Sequence, residues 1–229
     1  MTYVEHIQQR VYANTSLYSM WLPVDRVSVG DYGSIRRGRF NREGNVSQRG
    51  IQFKEQVSQS SPSTFGFSDK AKFNARSALG GAAGPSIGAA LEIALSGEGA
   101  FVYQMRDVTT KRVEDKASFF RDLFLAILEG RFRWREDFVL VDEIREAGSA
   151  TLIILESDSG KVVIKGGLLT AEESDAPLAR GEISAAVEHG SVFHVISQKA
   201  TTPLFNPRRL VFGRIPVALG RWSAQWSIG

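Results

Sequence analysis

The five residues from Gly84 to Gly88 form an arrangement that is typical of covalent catalysis. They match the pattern G-x-S-x-G, in which a serine on a tight turn between a strand and a helix acts as the nucleophile. His189 and His194 follow as candidate bases. The context disagrees with that turn, because a glycine- and proline-rich segment precedes Ser86 and a strand-like pattern follows it. We therefore expect no catalytic residue, and a serine hydrolase that uses Ser86 is our third hypothesis.

Metal and nucleotide sites are not indicated by the sequence. The chain has three histidines and no cysteine, and no carboxylate stands at the helical spacing that would complete a metal site with them. A loop of the type G-x-x-x-x-G-K-[ST] is absent. We expect neither a metal nor a cofactor. The lack of cysteine also excludes disulfides and fits a reducing cytoplasm.

The segment RRGRFNR at residues 36–42 is the main candidate for binding a partner. Its arginines stand beside Phe40, a composition that suits the phosphates of anionic lipids and of single-stranded nucleic acids equally well. From residue 26 to residue 49 the chain carries six arginines against two acids, and its last segment from Lys199 is basic as well. The sequence leaves open whether these arginines bind an anion or form an ordinary surface linked by salt bridges.

Two helices are expected to help position these residues. A short amphipathic helix begins near Thr2, because Thr2 and Glu5 form a capping box before apolar residues at helical spacing. A longer helix is predicted near 112–129, where apolar residues again recur on one face and Gly130 stands as the terminating glycine.

Strand patterns dominate the rest of the chain. Residues 22–29 are predicted to form a strand, the arginine segment a hairpin, and residues 46–65 an exposed connection. Three consecutive strands starting near residues 138, 149 and 160 are predicted to form a meander. With 229 residues and 43% hydrophobic content, the chain is predicted to be one α+β domain with a twisted, mainly antiparallel sheet.

The stretch GGAAGPSIGAALEIALSGEG at residues 80–99 is the most unusual one. Its glycines and proline disfavour a helix, and apolar side chains fall on every second position from Ile87. This alternation predicts a strand with one apolar face, which either packs on a protein core or meets lipid. If the face meets lipid, we expect an aspartate at Leu91 or Ile93 to leave the fold intact; if it is core, the protein should unfold.

The order of these elements resembles the pore-forming domain of the gasdermins over about the first 200 residues. The similar segments are WLPVDRV after the first helix, IRRGRF as the basic loop, AFVYQMRDVTT followed by FFRDLFLAILEG, then FVLVDEIREAGSATLIIL and GSVFHVISQKA.

The resemblance implies a latent cytoplasmic monomer that a partner protease activates by removing a C-terminal segment. The active form would bind anionic lipids of the inner membrane, form a homo-oligomer and insert amphipathic β-hairpins as a large barrel, in bacterial cell-suicide or antiviral defence. On this chain, residues 1–207 would be the pore-forming domain and 208–229 an inhibitory tail. Neither a cofactor nor a nucleic acid is an expected partner.

Specific residues follow from the resemblance. Lipid binding would fall to Arg10, Arg36, Arg37, Arg39 and Arg42. The membrane-inserting side chains would be Ile87, Leu91, Ile93, Leu95, Leu152, Ile154, Val162 and Ile164. Cleavage could follow Arg208, Arg209, Arg214 or Arg221.

Two features of the chain depart from the family pattern. It lacks the N-terminal cysteine that is lipidated in bacterial relatives, and its length leaves no room for the large inhibitory domain of animal members. The second hypothesis is accordingly a soluble β-rich module that binds nucleic acid or protein through RRGRFNR.

Overall fold

The computed structural model describes residues 3–20, 26–59, 64–76, 90–169, 178–197, 200–214 and 222–228. In chain order the elements are α1 (Tyr3–Thr15), β1 (Tyr18–Ser19), β2 (Asp31–Arg36), β3 (Arg39–Asn45), β4 (Glu55–Gln59), β5 (Thr64–Asp69), β6 (Ala71–Arg76), β7 (Ala90–Ser96), β8 (Phe101–Arg106), β9 (Thr109–Val113), α2 (Lys116–Leu128), β10 (Phe138–Ala147), β11 (Ser149–Leu155), β12 (Ser159–Leu169), β13 (Leu178–His189), β14 (Val192–Ser197), β15 (Thr201–Arg214) and β16 (Trp222–Ile228). A single 3-10 turn, Val46–Arg49, follows β3.

The described strands pair antiparallel in three sheets. The main sheet has the order β1-β15-β10-β2-β3, with β16 beside β15, β9 beside β10 and β4 beside β9. A proximal sheet has the order β14-β11-β8-β5, and a distal sheet has the order β13-β12-β7-β6. The prediction of one α+β domain with mainly antiparallel strands is confirmed.

The first helix forms where its spacing predicts it. Ile7 and Val11 lie on its buried face and pack with Phe101, Tyr103 and Leu152 of the proximal sheet. Helix α1 therefore covers one side of that sheet. Burial of such apolar side chains contributes roughly 1.5 to 3 kcal/mol each to stability.

The second helix begins later than predicted, at Lys116 rather than near residue 112. Residues Thr109–Val113 instead form β9, which pairs with β10 and β4. Asp115 then ends the strand region and caps the helix, since its carboxylate accepts a hydrogen bond from Ser118 N at 3.1 Å. Hydrogen bonding by Ser118 also lowers the pKa of Asp115. Both helices have 13 residues, so the prediction of a longer second helix is wrong, whereas Gly130 has the expected left-handed φ of +71°.

Two predictions on the segments around β2 and β3 are also wrong. Residues 26–30 form a loop with Val27 and Val29 buried, so the described part of the segment 22–29 is not a strand. The predicted connection 46–65 contains the buried Val46 and the strand β4. The five side chains of β4 are all exposed, so the strand lacks the alternation of a half-buried one.

The predicted meander has its three strands, but they do not pair with one another. β10 belongs to the main sheet, β11 to the proximal sheet and β12 to the distal sheet. Each strand pairs instead with segments that are distant in the sequence, such as β11 with β8 and β14. Such long-range partners leave no trace in a local pattern.

A line of bends separates the proximal sheet from the distal sheet. Each of the four neighbouring chain segments passes from one sheet to the other at this level: β5 to β6, β7 to β8, β11 to β12 and β13 to β14. Three of the bends contain left-handed residues, namely Lys70 (φ +55°), Gly97 (φ +87°), Gly99 (φ +77°) and Gly190 (φ +80°). The result is two long β-hairpins that lie side by side and bend together.

Backbone contacts hold adjacent bends together. Gly97 N donates to Asp158 O at 2.7 Å, and Glu156 N donates to Ser191 O at 2.9 Å. At Gly190 a Cβ atom would lie only 2.3 Å from Ser159 O. A side chain there would push the neighbouring strand away, so the close approach of the two segments requires glycine.

Candidate functional site

The predicted lipid-binding arginines surround the turn between β2 and β3. Arg37 and Gly38 form this turn with φ values of +51° and +72°. Arg37 and Arg39 are exposed, and within the described part of the chain neither has an acidic partner. Their guanidinium groups therefore remain available to an anion.

Arg36 and Arg42 differ from these two because both form ion pairs. Arg36 Nη2 lies 3.2 Å from Asp137 Oδ2, and both side chains are well exposed. Arg42 Nε lies 2.9 Å from Oδ1 of Asp31, whose side chain is 2% exposed. The second oxygen of Asp31 accepts from Ser28 N at 2.9 Å. Arg42 therefore neutralises a buried carboxylate, whereas the pair of Arg36 contributes little to stability.

Helix α1 lies against the same turn. Gln8 Nε2 donates hydrogen bonds to the carbonyl oxygens of Gly38 and Ser19. Arg10 is exposed on this helix and is not without a bonding or electrostatic partner. The two elements to which the resemblance assigns lipid contact are thus neighbours. Neither helix among the described residues is long and apolar enough to cross a bilayer.

Phe40 is not positioned to stack on a nucleic-acid base. Its ring centroid lies 5.4 Å from that of Phe205, in the core of the main sheet. A base stacks on an exposed aromatic ring, and Phe40 is partly buried. The exposed arginines of the turn therefore have no stacking partner in Phe40.

The members of the predicted membrane-inserting set whose burial is described lie in two separate cores. Leu152 and Ile154 are buried in the cluster beneath α1. Ile93, Leu95 and Val162 are buried in another cluster, formed between the distal and proximal sheets. Leu91 and Ile164 are cross-strand partners in β7 and β12, and Ile87 lies outside the described residues.

Residues that pair across the four strands of the distal sheet form rows, and these rows differ in polarity. One row across its four strands consists of Phe73, Ile93, Val162 and Val187, and the next row on the same side consists of Ala75, Leu91, Ile164 and Ala185. A row of the opposite parity consists of Arg76, Ala90, Lys165 and Ser184. Since side chains alternate along strands, the register gives the sheet one apolar face. In the proximal sheet, by contrast, β11 is buried on both faces from residue 150 to residue 155.

The predicted cleavage sites lie in or beside a paired strand. Arg208 and Arg209 belong to β15 and have β10 on one side and β16 on the other. A protease binds an extended chain that is free of such pairing, so the folded sheet protects both positions. The predicted domain boundary between residues 207 and 208 falls inside the same strand. Arg214 stands at its end, opposite Trp222, and Arg221 lies outside the described residues.

No protein-family model matches the chain, and no curated protein is significantly similar to it.

The residues of the catalytic hypothesis are only partly described. Ser86 lies outside the described residues, His189 ends β13, and His194 is an exposed residue of β14 opposite Ile153. In the described part of the chain no group of three histidine, cysteine or acidic side chains is arranged to hold a metal ion.

A second group of arginines was missed by the sequence analysis. Arg131, Arg133 and Arg135 line a cleft together with Arg49. The signal was the segment RFRWR at residues 131–135, in which arginine alternates with aromatic residues. The contribution of Arg49 comes from a distant segment and has no sequence signal.

Proposed function

We propose that this protein is a latent membrane-permeabilising protein whose distal sheet inserts into anionic membranes. The observation that carries the proposal is the distal sheet itself: two neighbouring hairpins with one apolar face, joined to the rest of the protein at a common line of bends. A membrane-inserting strand requires this alternation of apolar and polar side chains.

The length of two of the four distal strands supports the same proposal. β12 and β13 have 11 and 12 residues, and a tilted strand needs about 9 to 11 residues to cross the hydrocarbon layer. The bend region is polar, with Lys70, Glu156 and Asp158 exposed. In this proposal the bends lie at the headgroup level. Leu152 and Ile154, which pack beneath α1, stay with the body of the protein.

Insertion requires the apolar face to leave its present partner. Ile93 and Val162 are fully buried against the proximal sheet. If the distal sheet swings away at the bends, hydrocarbon replaces these protein contacts. Lys70 helps this movement, because a left-handed non-glycine residue stores about 1 kcal/mol or more that straightening releases.

The C-terminal strand is the element whose removal would activate the protein. β16 pairs with residues 208–214 of β15 and with no other described strand. Loss of β16 would leave unpaired N–H and C=O groups along β15, which another strand could pair with. A protease that cuts between residues 214 and 222 would release β16, and copies of this chain would then assemble from the latent monomer. We propose bacterial cell-suicide defence at the inner membrane as the setting.

Leakage of a dye from vesicles tests this function. A specific protease site placed between Arg214 and Trp222 would allow the full chain to be purified intact and then cut beside β16. We expect leakage from phosphatidylglycerol vesicles after the cut, none before it, and little from phosphatidylcholine vesicles. A variant with a scrambled site controls for the protease. Release of β16 without leakage from either kind of vesicle would disprove the proposal.

The two free arginines of the β2–β3 turn should govern membrane attachment. Changing Arg37 and Arg39 to glutamate should reduce sedimentation with anionic vesicles by about tenfold or more, because each basic residue contributes roughly 1 kcal/mol at an anionic surface. The melting temperature should stay the same, since neither arginine forms an ion pair among the described residues.

A matched control separates the effect of net charge on vesicle binding from the effect of the position of the arginines. The same double change at Arg112 on β9 and Arg121 on α2, both of which are exposed, alters the net charge equally and should leave vesicle binding nearly intact. Equal loss in both variants would mean that only net charge matters. Loss of single-stranded DNA binding with unchanged vesicle binding would favour the nucleic-acid module instead.

A further inference from the structure

The second arginine group lines a cleft at the base of the β2–β3 hairpin, opposite the turn. The cleft has a volume of about 370 Å³, and Arg49, Arg131, Arg133, Arg135 and Glu43 contribute to its walls. Glu43 and Arg39 are four positions apart in β3, a distance of about 13 Å along an extended strand. Arg39 at the turn is therefore well separated from Glu43 in the cleft, whereas Asp137 pairs both with Arg36 beside the turn and with Arg135 of the cleft.

The aromatic residues of the RFRWR segment bring its three arginines to one side. Phe132 is buried and Trp134 is partly buried, and both pack on Tyr32. The ring centroids of Tyr32 and Phe132 are 4.8 Å apart, and those of Trp134 and Phe138 are 5.7 Å apart. With these rings turned inward, the arginines at alternate positions face the cleft.

Two of the four arginines are held in place by aromatic neighbours. Arg49 Nε and Nη2 both donate to Tyr32 Oη at 3.3 Å. The guanidinium carbon of Arg135 lies 4.9 Å from the ring centre of Phe138. Arginine groups that are already positioned lose less conformational entropy when a ligand binds.

The positive charge of the cleft is only partly neutralised. Arg131 pairs with Glu129 at 2.7 Å, and Arg135 pairs with Asp137 at 2.8 Å and with Glu43 of the cleft wall at 3.9 Å. Hydrogen bonding by Arg135 lowers the pKa of Asp137, so this carboxylate stays ionised. Arg49 and Arg133, by contrast, have no acidic partner in the part of the chain that the structure describes.

We propose that this cleft binds a ligand with more than one phosphate group. Planar guanidinium groups bind phosphate oxygens through paired hydrogen bonds, and several arginines around one cleft suit a multiply charged anion better than a single carboxylate. The volume is in the range of small-molecule sites. Both a soluble phosphate ester and the headgroup of a phosphorylated lipid carry this chemistry. The inference does not depend on membrane permeabilisation.

Calorimetric titration of the full chain with pyrophosphate and with inositol trisphosphate tests the site. The variant with Arg49→Gln and Arg133→Gln should bind either probe about tenfold or more weakly, because a charge-assisted hydrogen bond is worth more than a neutral one. The matched control is Arg112→Gln with Arg121→Gln, which removes two exposed arginines of β9 and α2 that do not line the cleft. It should bind both probes like the unmodified protein.

Vesicles that contain phosphatidylinositol bisphosphate distinguish the two sources of phosphate. If the headgroup is the ligand, the Arg49 and Arg133 variant should lose the preference for these vesicles over phosphatidylglycerol vesicles. If a soluble ester is the ligand, that preference should be missing in every variant while the calorimetric binding remains. If Arg49→Gln lowers stability because the contact with Tyr32 is lost, the single variant Arg133→Gln replaces the double variant in both experiments. No binding of either probe, or equal weakening in the Arg112 and Arg121 control, would overturn the proposal.

Discussion

Replacement of Ile93 by aspartate should unfold the protein. Ile93 is 0% exposed and lies in the core between the distal and proximal sheets, with Val102, Ile153 and Val162. A carboxylate buried there without a partner costs several kcal/mol, and a domain has only about 5 to 15 kcal/mol of stability in total. Urea denaturation followed by circular dichroism should show either no folded baseline or a lower midpoint. The decrease in the midpoint equals the loss in the free energy of unfolding divided by the slope m.

The same substitution at Val187 is the matched control. Val187 stands in the same row of the distal sheet, two strands from Ile93, but it is 41% exposed. Val187→Asp should therefore cost less than about 1 kcal/mol of stability. An Ile93→Asp protein with the midpoint of the unmodified protein would mean that the distal sheet does not pack on the proximal sheet.

The Val187 variant also tests membrane insertion in a protein that is expected to stay folded. Of the two expectations for Ile93→Asp, the burial of Ile93 in the core favours unfolding. If the row that contains Val187 meets hydrocarbon after activation, Val187→Asp should give a folded protein that binds anionic vesicles and causes much less leakage once β16 is removed. Full leakage by this variant would contradict insertion through that row.

Removal of the Asp142 carboxylate should cause the second large loss of stability. Asp142 lies on β10 and is 0% exposed, and its Oδ2 is 2.8 Å from Lys116 Nζ and 3.2 Å from Arg208 Nε. It thus links the first residue of α2 and the strand β15 to the centre of the main sheet. Asp142→Ala should lower the free energy of unfolding by about 3 kcal/mol, because breaking a buried ion pair leaves charges without a partner.

An exposed aspartate on α2 gives the comparison. Asp122 pairs with Arg121 at 3.2 Å, and both side chains are about half exposed, so Asp122→Ala should change the free energy of unfolding by less than about 1 kcal/mol. Both values come from the same urea titration. Equal effects of the two substitutions would show that Asp142 does not anchor α2 and β15.

Local patterns in the sequence predicted the elements that depend on neighbouring residues. The position of α1 follows from the helical spacing of Ile7 and Val11, and the end of the second helix follows from Gly130. The alternation from Leu91 to Leu95 predicted β7, and the apolar runs after residue 138 predicted three strands. Helical and strand periods are properties of a short segment, so a short segment is enough to reveal them.

The tertiary structure alone decided which of these segments meet. The pairing of β11 with β8 and β14 joins distant parts of the chain, and the common bends exist only because four such segments lie side by side. Long-range contacts likewise engaged Arg42 with the buried Asp31 and brought Arg49 to the cleft of Arg133, while Arg37 has no ion pair among the described residues. The charge available at a site depends on the partner of each side chain, and the partner is set by the fold as a whole. For that reason the sequence determined the arginines that this protein carries, while its tertiary structure decided which of them can bind an anion.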